Sequence, residues 1–100
     1  DRVQINQNIQ VTVYRIVQEL INNSIKHAQA KEAIVQLEIH EQELTVTVED
    51  DGKGFDVALL DVSKGIGWTN IKNRTEYMKA RLNIQSEKGK GTSVHISIPL

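Results

Sequence analysis

The sequence contains no cysteine, which excludes disulfides and thiolate chemistry and fits a reducing compartment. It also lacks an excess of charge of either sign. Twelve Lys and Arg stand against 13 Asp and Glu, for a formal net charge of −1. Without a basic field, neither nucleic acid nor an anionic membrane surface is an expected partner. No apolar run approaches the ~20 residues of a membrane span. The opening Asp1-Arg2-Val3-Gln4-Ile5 lacks the layout of a signal peptide. Internal repeats, linkers and low-complexity segments are missing too. What remains is 100 residues, 39% hydrophobic and 25% charged, suited to a single domain over residues 1–100 with one modest core. The first residue is not methionine, so the chain reads as a fragment of a longer protein.

The most informative stretch joins an alternating run, Leu44-Thr45-Val46-Thr47-Val48, to Glu49-Asp50-Asp51-Gly52-Lys53-Gly54-Phe55. The run reads as a half-buried strand. Its period of two carries on to Asp50, which therefore shares the core-facing side with Leu44, Val46 and Val48, while Asp51 points the other way. A carboxylate at the edge of a core requires a hydrogen-bond partner. Gly52 and Gly54 allow positive φ and close approach of a ligand. The reading is a pocket at a strand end with an acid on its floor, although the same residues also serve an ordinary turn.

Taken in order, Val3 and Ile5 suggest a short edge strand, and Asn8 or Thr12 a helix cap. Val13, Ile16, Val17, Leu20, Ile21, Ser24, Ile25 and Ala28 then recur at helical spacing on one face. A strand follows from Ala33 to His40, with Ala33, Val35, Leu37 and Ile39 inward. The turn Glu41-Gln42 makes a hairpin of it with Leu44 to Asp50. Between Phe55 and Lys64 the pattern supports at most a helical turn at Val57 to Leu60. Gly65-Ile66-Gly67 leads into a second helix through Ala80, with Ile71, Tyr77 and Met78 as its buried positions. Arg81 to Ser86 and Thr92 to Ile98 alternate as strands around the turn Lys88-Gly89-Lys90-Gly91, and Pro99 ends the last. His40 and His95 fall on outward strand faces. Helices mixed with mainly antiparallel strands imply an α/β two-layer sandwich, a mixed sheet covered on one face by helices.

On the first helix Glu19, Asn23 and Lys26 share a face at i, i+4 and i+7. That face reads either as a solvated stripe or as a site. Asn22-Asn23-Ser24 is poor helix-forming material and calls for compensation. An amide oxygen is a hard donor suited to Mg²⁺, which takes waters and phosphate oxygens as its other ligands. Lys26 adds a point charge for those phosphates. Gly65 and Gly67 open a helix whose free N–H groups suit a phosphate. No third glycine completes a dinucleotide fingerprint, and no P-loop is present.

Glu19-Leu-Ile-Asn-Asn23-Ser-Ile-Lys26-His27-Ala28 resembles the N box of the nucleotide-binding domain shared by histidine kinases, gyrase, Hsp90 and MutL. Asp50-Asp-Gly52-Lys-Gly54-Phe55 resembles its G1 box and Gly65-Ile-Gly67-Trp-Thr-Asn70 its G2 box. Gly89-Lys-Gly91-Thr92 resembles the closing Gly-Thr segment. The resemblance runs from Gln10 to Pro99, and the Lys-His-Ala wording is most similar to sensor kinases related to nitrate and membrane-fluidity sensors.

This resemblance implies a Bergerat-type fold that binds Mg-ATP. Asn23 would be the Mg²⁺ ligand, and Asp50 the acceptor for the adenine amino group. Guanine would set its carbonyl against Asp50, forfeiting a charge-assisted bond worth roughly 1.5–3 kcal/mol. Gly52 and Gly54 would lie beneath the base and Gly65 and Gly67 beside the phosphates. Thr92 would support the adenine site, and Lys26 and His27 would reach toward the phosphate side, with His27 equally suited to be a partly buried border residue of the helix. Glu19 is ambiguous, because a glutamate here activates water in hydrolytic members whereas in kinases a histidine on another domain attacks. The lid segment between Phe55 and Gly65 is short, and Trp68 stands where relatives carry leucine, as a packing residue. The implied function is the catalytic domain of a two-component sensor histidine kinase, nearly inactive in isolation. Its expected partners are an upstream acceptor-histidine dimerisation domain and, indirectly, a response regulator. The expected parent is a homodimer acting in the cytoplasm, with or without an inner-membrane anchor. A regulatory or degenerate nucleotide- or partner-binding module, an ATPase, or an anti-sigma-type serine kinase are the alternatives.

Overall fold

The computed structural model describes residues 5–26, 29–54 and 68–100. Two helices and four strands form where the periodicities lie: α1 Gln7–Lys26, β1 Ala33–His40, β2 Glu43–Asp50, α2 Trp68–Tyr77, β3 Arg81–Ser86 and β4 Thr92–Pro99. The expected strand residue Val3 and the turn at Val57 to Leu60 lie outside the described residues, and Ile5 precedes α1 without joining a strand.

The cap of α1 is Asn6, not Asn8 or Thr12. Its side-chain oxygen accepts the N–H of Asn8 at 2.7 Å, satisfying one of the unpaired donors of the first turn. Thr12 instead donates back to the Asn8 carbonyl at 2.7 Å. Ile16, Leu20 and Ser24 are buried on one stripe, with Val13 and Val17 packed partly against the core. Ile25, assigned by spacing to the apolar face, is exposed. It sits about 100° round the helix from Ser24, beyond the reach of the sheet.

The sheet order is β1-β2-β4-β3 and every neighbouring pair is antiparallel. Leu44, Val46 and Val48 of β2 lie opposite Ile98, Ile96 and Val94 of β4, and all six are buried beneath the helices. Each such side chain contributes about 1.5–3 kcal/mol through removal from water. The inward residues of β1 depart from expectation. Val35, Leu37 and Ile39 face the helix side, yet the whole strand is exposed because it is the edge of the sheet among the described residues. Pro99 is the last residue of β4 rather than its terminator, opposite Glu43.

In α2 the buried residues are Ile71, Thr75 and, just past its end, Met78. Tyr77, expected in the core, is exposed because it lies two positions from Thr75, toward the far side of the helix. The helix closes in a Schellman arrangement. Ala80 N–H donates to the Thr75 carbonyl at 2.9 Å and Lys79 N–H to that of Glu76 at 3.0 Å. Lys79 takes the left-handed conformation at φ 57°.

Candidate functional site

The inward face of the sheet is apolar for three rungs and then turns polar. Asp50 lies opposite Thr92, and Thr92 opposite Ser86, so one carboxylate and two hydroxyls continue the columns begun by valine and isoleucine. Alternation alone puts them there. Asp50 is half-buried and both its oxygens are engaged. Oδ1 accepts the Gly52 N–H at 2.9 Å, and Oδ2 accepts the Ser24 hydroxyl of α1 at 2.7 Å. The requirement for a partner at a core-edge carboxylate is thus met twice.

Across the rung the Ser86 and Thr92 hydroxyls share a hydrogen bond of 2.9 Å, and Ser86 donates to the Gly91 carbonyl at 3.0 Å. Two glycines permit the close stacking of the turns at this end. Gly91 adopts φ 84°, and a Cβ on it would collide with the Asp50 carbonyl oxygen. Gly54 adopts φ 65°, with the Glu87 carbonyl oxygen where a Cβ would sit. Gly52 is buried but is not among the residues with positive φ. Its part is the N–H given to Asp50. An open pocket of about 570 Å³ borders Asp50, Ser86, Gly91 and Thr92.

Asp51 turns to the opposite side, as its position predicts, and fastens the entry to β1. It accepts the N–H groups of Lys31 at 2.8 Å and Glu32 at 3.0 Å. The Glu32 and Lys31 N–H bonds, with a smaller contribution from the Lys31 charge, hold its carboxyl below the ordinary value of 3.8.

Asn23 precedes Ser24 on α1 and is half-buried. Its side-chain nitrogen is buried without a hydrogen-bond partner, alone in this respect among the described residues. Such a group costs stability unless something completes it. Glu19 lies half-buried one turn earlier and Lys26 is exposed at the helix end. Asp50, Thr92, Gly52 and Gly54 therefore gather at one end of the sheet, and Asn23 adjoins them through Ser24. Glu19 and Lys26 share the helix, with no hydrogen bond or ion pair to another described residue. His27, Gly65, Gly67, Phe55 and the side chain of Trp68 fall outside the described residues. His40 is exposed on the far face. His95 is partly enclosed there, between the Thr47 hydroxyl at 3.3 Å and that of Ser93 at 3.2 Å.

A metal here would not find a carboxylate cage: among the described residues no three Asp, Glu or His side chains converge. The unpartnered Asn23 nitrogen is a donor and suits an oxygen acceptor such as a phosphate; a divalent cation that draws most of its ligands from water and phosphate would be held by the amide oxygen instead. Two residues of the site escape a motif reading, Ser24 and Ser86. Both leave a trace in the sequence, as a hydroxyl on an otherwise apolar stripe: Ser24 after Ile16 and Leu20, Ser86 after Leu82 and Ile84.

Residues 8–100 match the family described as histidine kinase-, DNA gyrase B-, and HSP90-like ATPase. The sensor histidine kinase ComP of Bacillus subtilis is 36% identical over 92 residues, covering 91% of this chain and 12% of ComP. The histidine-protein kinase/phosphatase DegS of Brevibacillus brevis is 34% identical over 95 residues, covering 94% of this chain and 24% of DegS. Among solved structures, the histidine kinase domain of the blue-light activated histidine kinase EL346 of Erythrobacter litoralis superposes with a TM-score of 0.79. It is 29% identical, and the match covers all of this chain and 48% of that one. The chain thus spans between about an eighth and a quarter of the curated relatives it matches. With 93 consecutive residues matched and the polar rung at the end of its sheet, the chain belongs to the histidine kinase-, DNA gyrase B- and HSP90-like ATPase family.

Proposed function

We propose that this chain is the Mg-ATP-binding catalytic domain of a two-component sensor histidine kinase, part of a longer protein that carries its phosphate acceptor elsewhere. The observation that carries the reading is the Asp50 carboxylate, half-buried at the sheet's end and held by Ser24 and Gly52. It is an acceptor on the floor of a pocket, suited to the amino group of adenine and mismatched to the carbonyl of guanine. Gly52 and Gly54 leave space beneath the base, and Thr92, bonded to Ser86, borders it. Asn23 would hold Mg²⁺, which supplies charge neutralisation at the phosphate oxygens. By the resemblance, Lys26 and His27 would reach the phosphate side, and Gly65 and Gly67 would border the phosphates. These residues position the nucleotide so that a histidine of a dimerising domain attacks the γ-phosphorus while the bond to the bridging oxygen breaks and ADP departs. Glu19 lies one turn from Asn23; a glutamate there activates water in hydrolytic members of the family, whereas a kinase leaves the attack to the histidine. The relatives' names support a two-component setting, with a response regulator as the eventual recipient and a homodimeric parent. The Lys26-His27-Ala28 wording favours the group related to nitrate and membrane-fluidity sensors.

The test is calorimetric titration with ATP and GTP, with and without Mg²⁺. ATP should bind and GTP should not, Asp50→Asn should abolish binding, and Asn23→Ala should remove only the Mg²⁺ dependence. No ATP binding at millimolar concentration would sink the kinase reading in favour of a degenerate regulatory module.

A further inference from the structure

We infer that Ser24 is a positioning residue for the base: its hydroxyl orients the Asp50 carboxylate and so sets how strongly the pocket prefers a 6-aminopurine. The inference rests on the reading of Asp50 as the adenine acceptor. The Ser24 hydroxyl lies 2.7 Å from Asp50 Oδ2 and 3.1 Å from the Leu20 carbonyl. Both are acceptors, and a hydroxyl has one proton. The Leu20 carbonyl already receives the Ser24 backbone N–H within the helix. The shorter bond, to a charged acceptor, is the stronger one. Ser24 therefore gives its proton to Asp50.

The consequence is geometric. The terminal torsion of an aspartate is broad, so a carboxylate held at Oδ1 alone can swing. Gly52 N–H holds Oδ1 on the strand side and Ser24 holds Oδ2 from the helix, 26 positions away in sequence. The plane of the carboxylate is thereby fixed, and each oxygen keeps acceptor capacity for a ligand N–H. Ser24 itself is buried at 3% exposure on a 20-residue helix, so it has little room to follow a moving partner. The neighbouring Asn23 projects about 100° away, which lets one helical turn serve the base with one side chain and the phosphate end with the next. This also accounts for a serine in a buried helix interior, where alanine is the better helix former.

The experiment compares ATP with purine riboside triphosphate, the same nucleotide lacking the 6-amino group. Both are titrated into the wild-type chain, Ser24→Ala and Ser24→Thr, with thermal unfolding of the unliganded chains as a folding control. Ser24→Ala should melt within a few degrees of wild type. The wild type should prefer ATP about tenfold or more, the worth of roughly one well-aligned charge-assisted bond. Ser24→Ala should cut that ratio about three- to tenfold while leaving the analogue's affinity unchanged, and Ser24→Thr, which keeps the hydroxyl, should restore it. A ratio unchanged in Ser24→Ala, or equal weakening of both nucleotides, overturns the role of Ser24 and leaves the Asp50 reading standing. Equal binding of both nucleotides by the wild type overturns the Asp50 reading and this inference with it. Were Ser24→Ala unable to fold, Ser24→Cys, close in volume but a poor donor, puts the same ratio to the test.

Discussion

β1 and β2 are the two arms of one hairpin, eight residues each, with branched apolar side chains at alternate positions. Val35, Leu37 and Ile39 sit directly opposite Val48, Val46 and Leu44. The first three are 37%, 59% and 48% exposed; the second three are 3%, 1% and 5% exposed. The alternation is the same and the outcome opposite. A period of two determines which side of the sheet a residue faces, whereas burial depends on what lies above and beside it. β2 is flanked by β1 and β4 and roofed by the helices. Among the described residues β1 has a neighbour on one side only, and the space between it and α1 is an open apolar groove of about 520 Å³ reaching Ile5, Val13 and Val17. The other edge, β3, is better managed, with Arg81, Asn83 and Gln85 outward and Leu82 and Ile84 half-covered. Exposed apolar edges invite pairing with another strand.

The strongest way to break this contrast is a charge. Val46→Asp should cost at least about 4–5 kcal/mol and leave the chain unfolded, since the carboxylate would be buried without a partner. Leu37→Asp, its directly paired neighbour on β1, should cost about 1 kcal/mol or less, and denaturant unfolding compares the two. A smaller loss is expected at the polar rung. Gly91→Ala needs a left-handed conformation and drives a Cβ toward the Asp50 carbonyl, so about 1–3 kcal/mol of stability should be lost along with ATP binding. Smaller still is the fastening of β1 by Asp51. Its folded carboxyl titrates below the ordinary 3.8, so its stabilisation is complete above that value and fades as pH falls through the lowered one. Asp51→Ala should flatten the acid limb of the unfolding profile in that window and speed amide exchange at Lys31 and Glu32. Lys79→Gly, away from both strands, should raise stability by about 0.5–1 kcal/mol, because glycine takes the left-handed C′ position without strain.

Much of the candidate site is legible in the sequence. Asp50 could be placed on the core side because the period of two runs unbroken through Leu44, Val46 and Val48, and the hydrogen bond from Ser24 meets it there. Asn23 is marked in the sequence as poor helix material, and its amide nitrogen is the one buried side-chain N or O atom without a partner among the described residues. Positive φ was harder to assign. Among the described glycines it belongs to Gly54, Gly89 and Gly91 rather than Gly52, because turn conformation follows from how two loops stack and not from composition. Tyr77 and Ile25 are exposed against expectation for a related reason: an apolar side chain at a stripe's border is buried only if the neighbouring layer extends that far.

The sequence by itself determined the two helices, the four strands, most of their faces and the acid at the end of β2, because each is a local consequence of spacing and residue type. Tertiary structure alone decided that Ser24 of α1 would meet Asp50 of β2, that Ser86 would join Thr92 on the last rung, and that β1 would lie open while β2 was covered. Those outcomes depend on contacts between residues far apart in the chain, and no short-range periodicity carries that information.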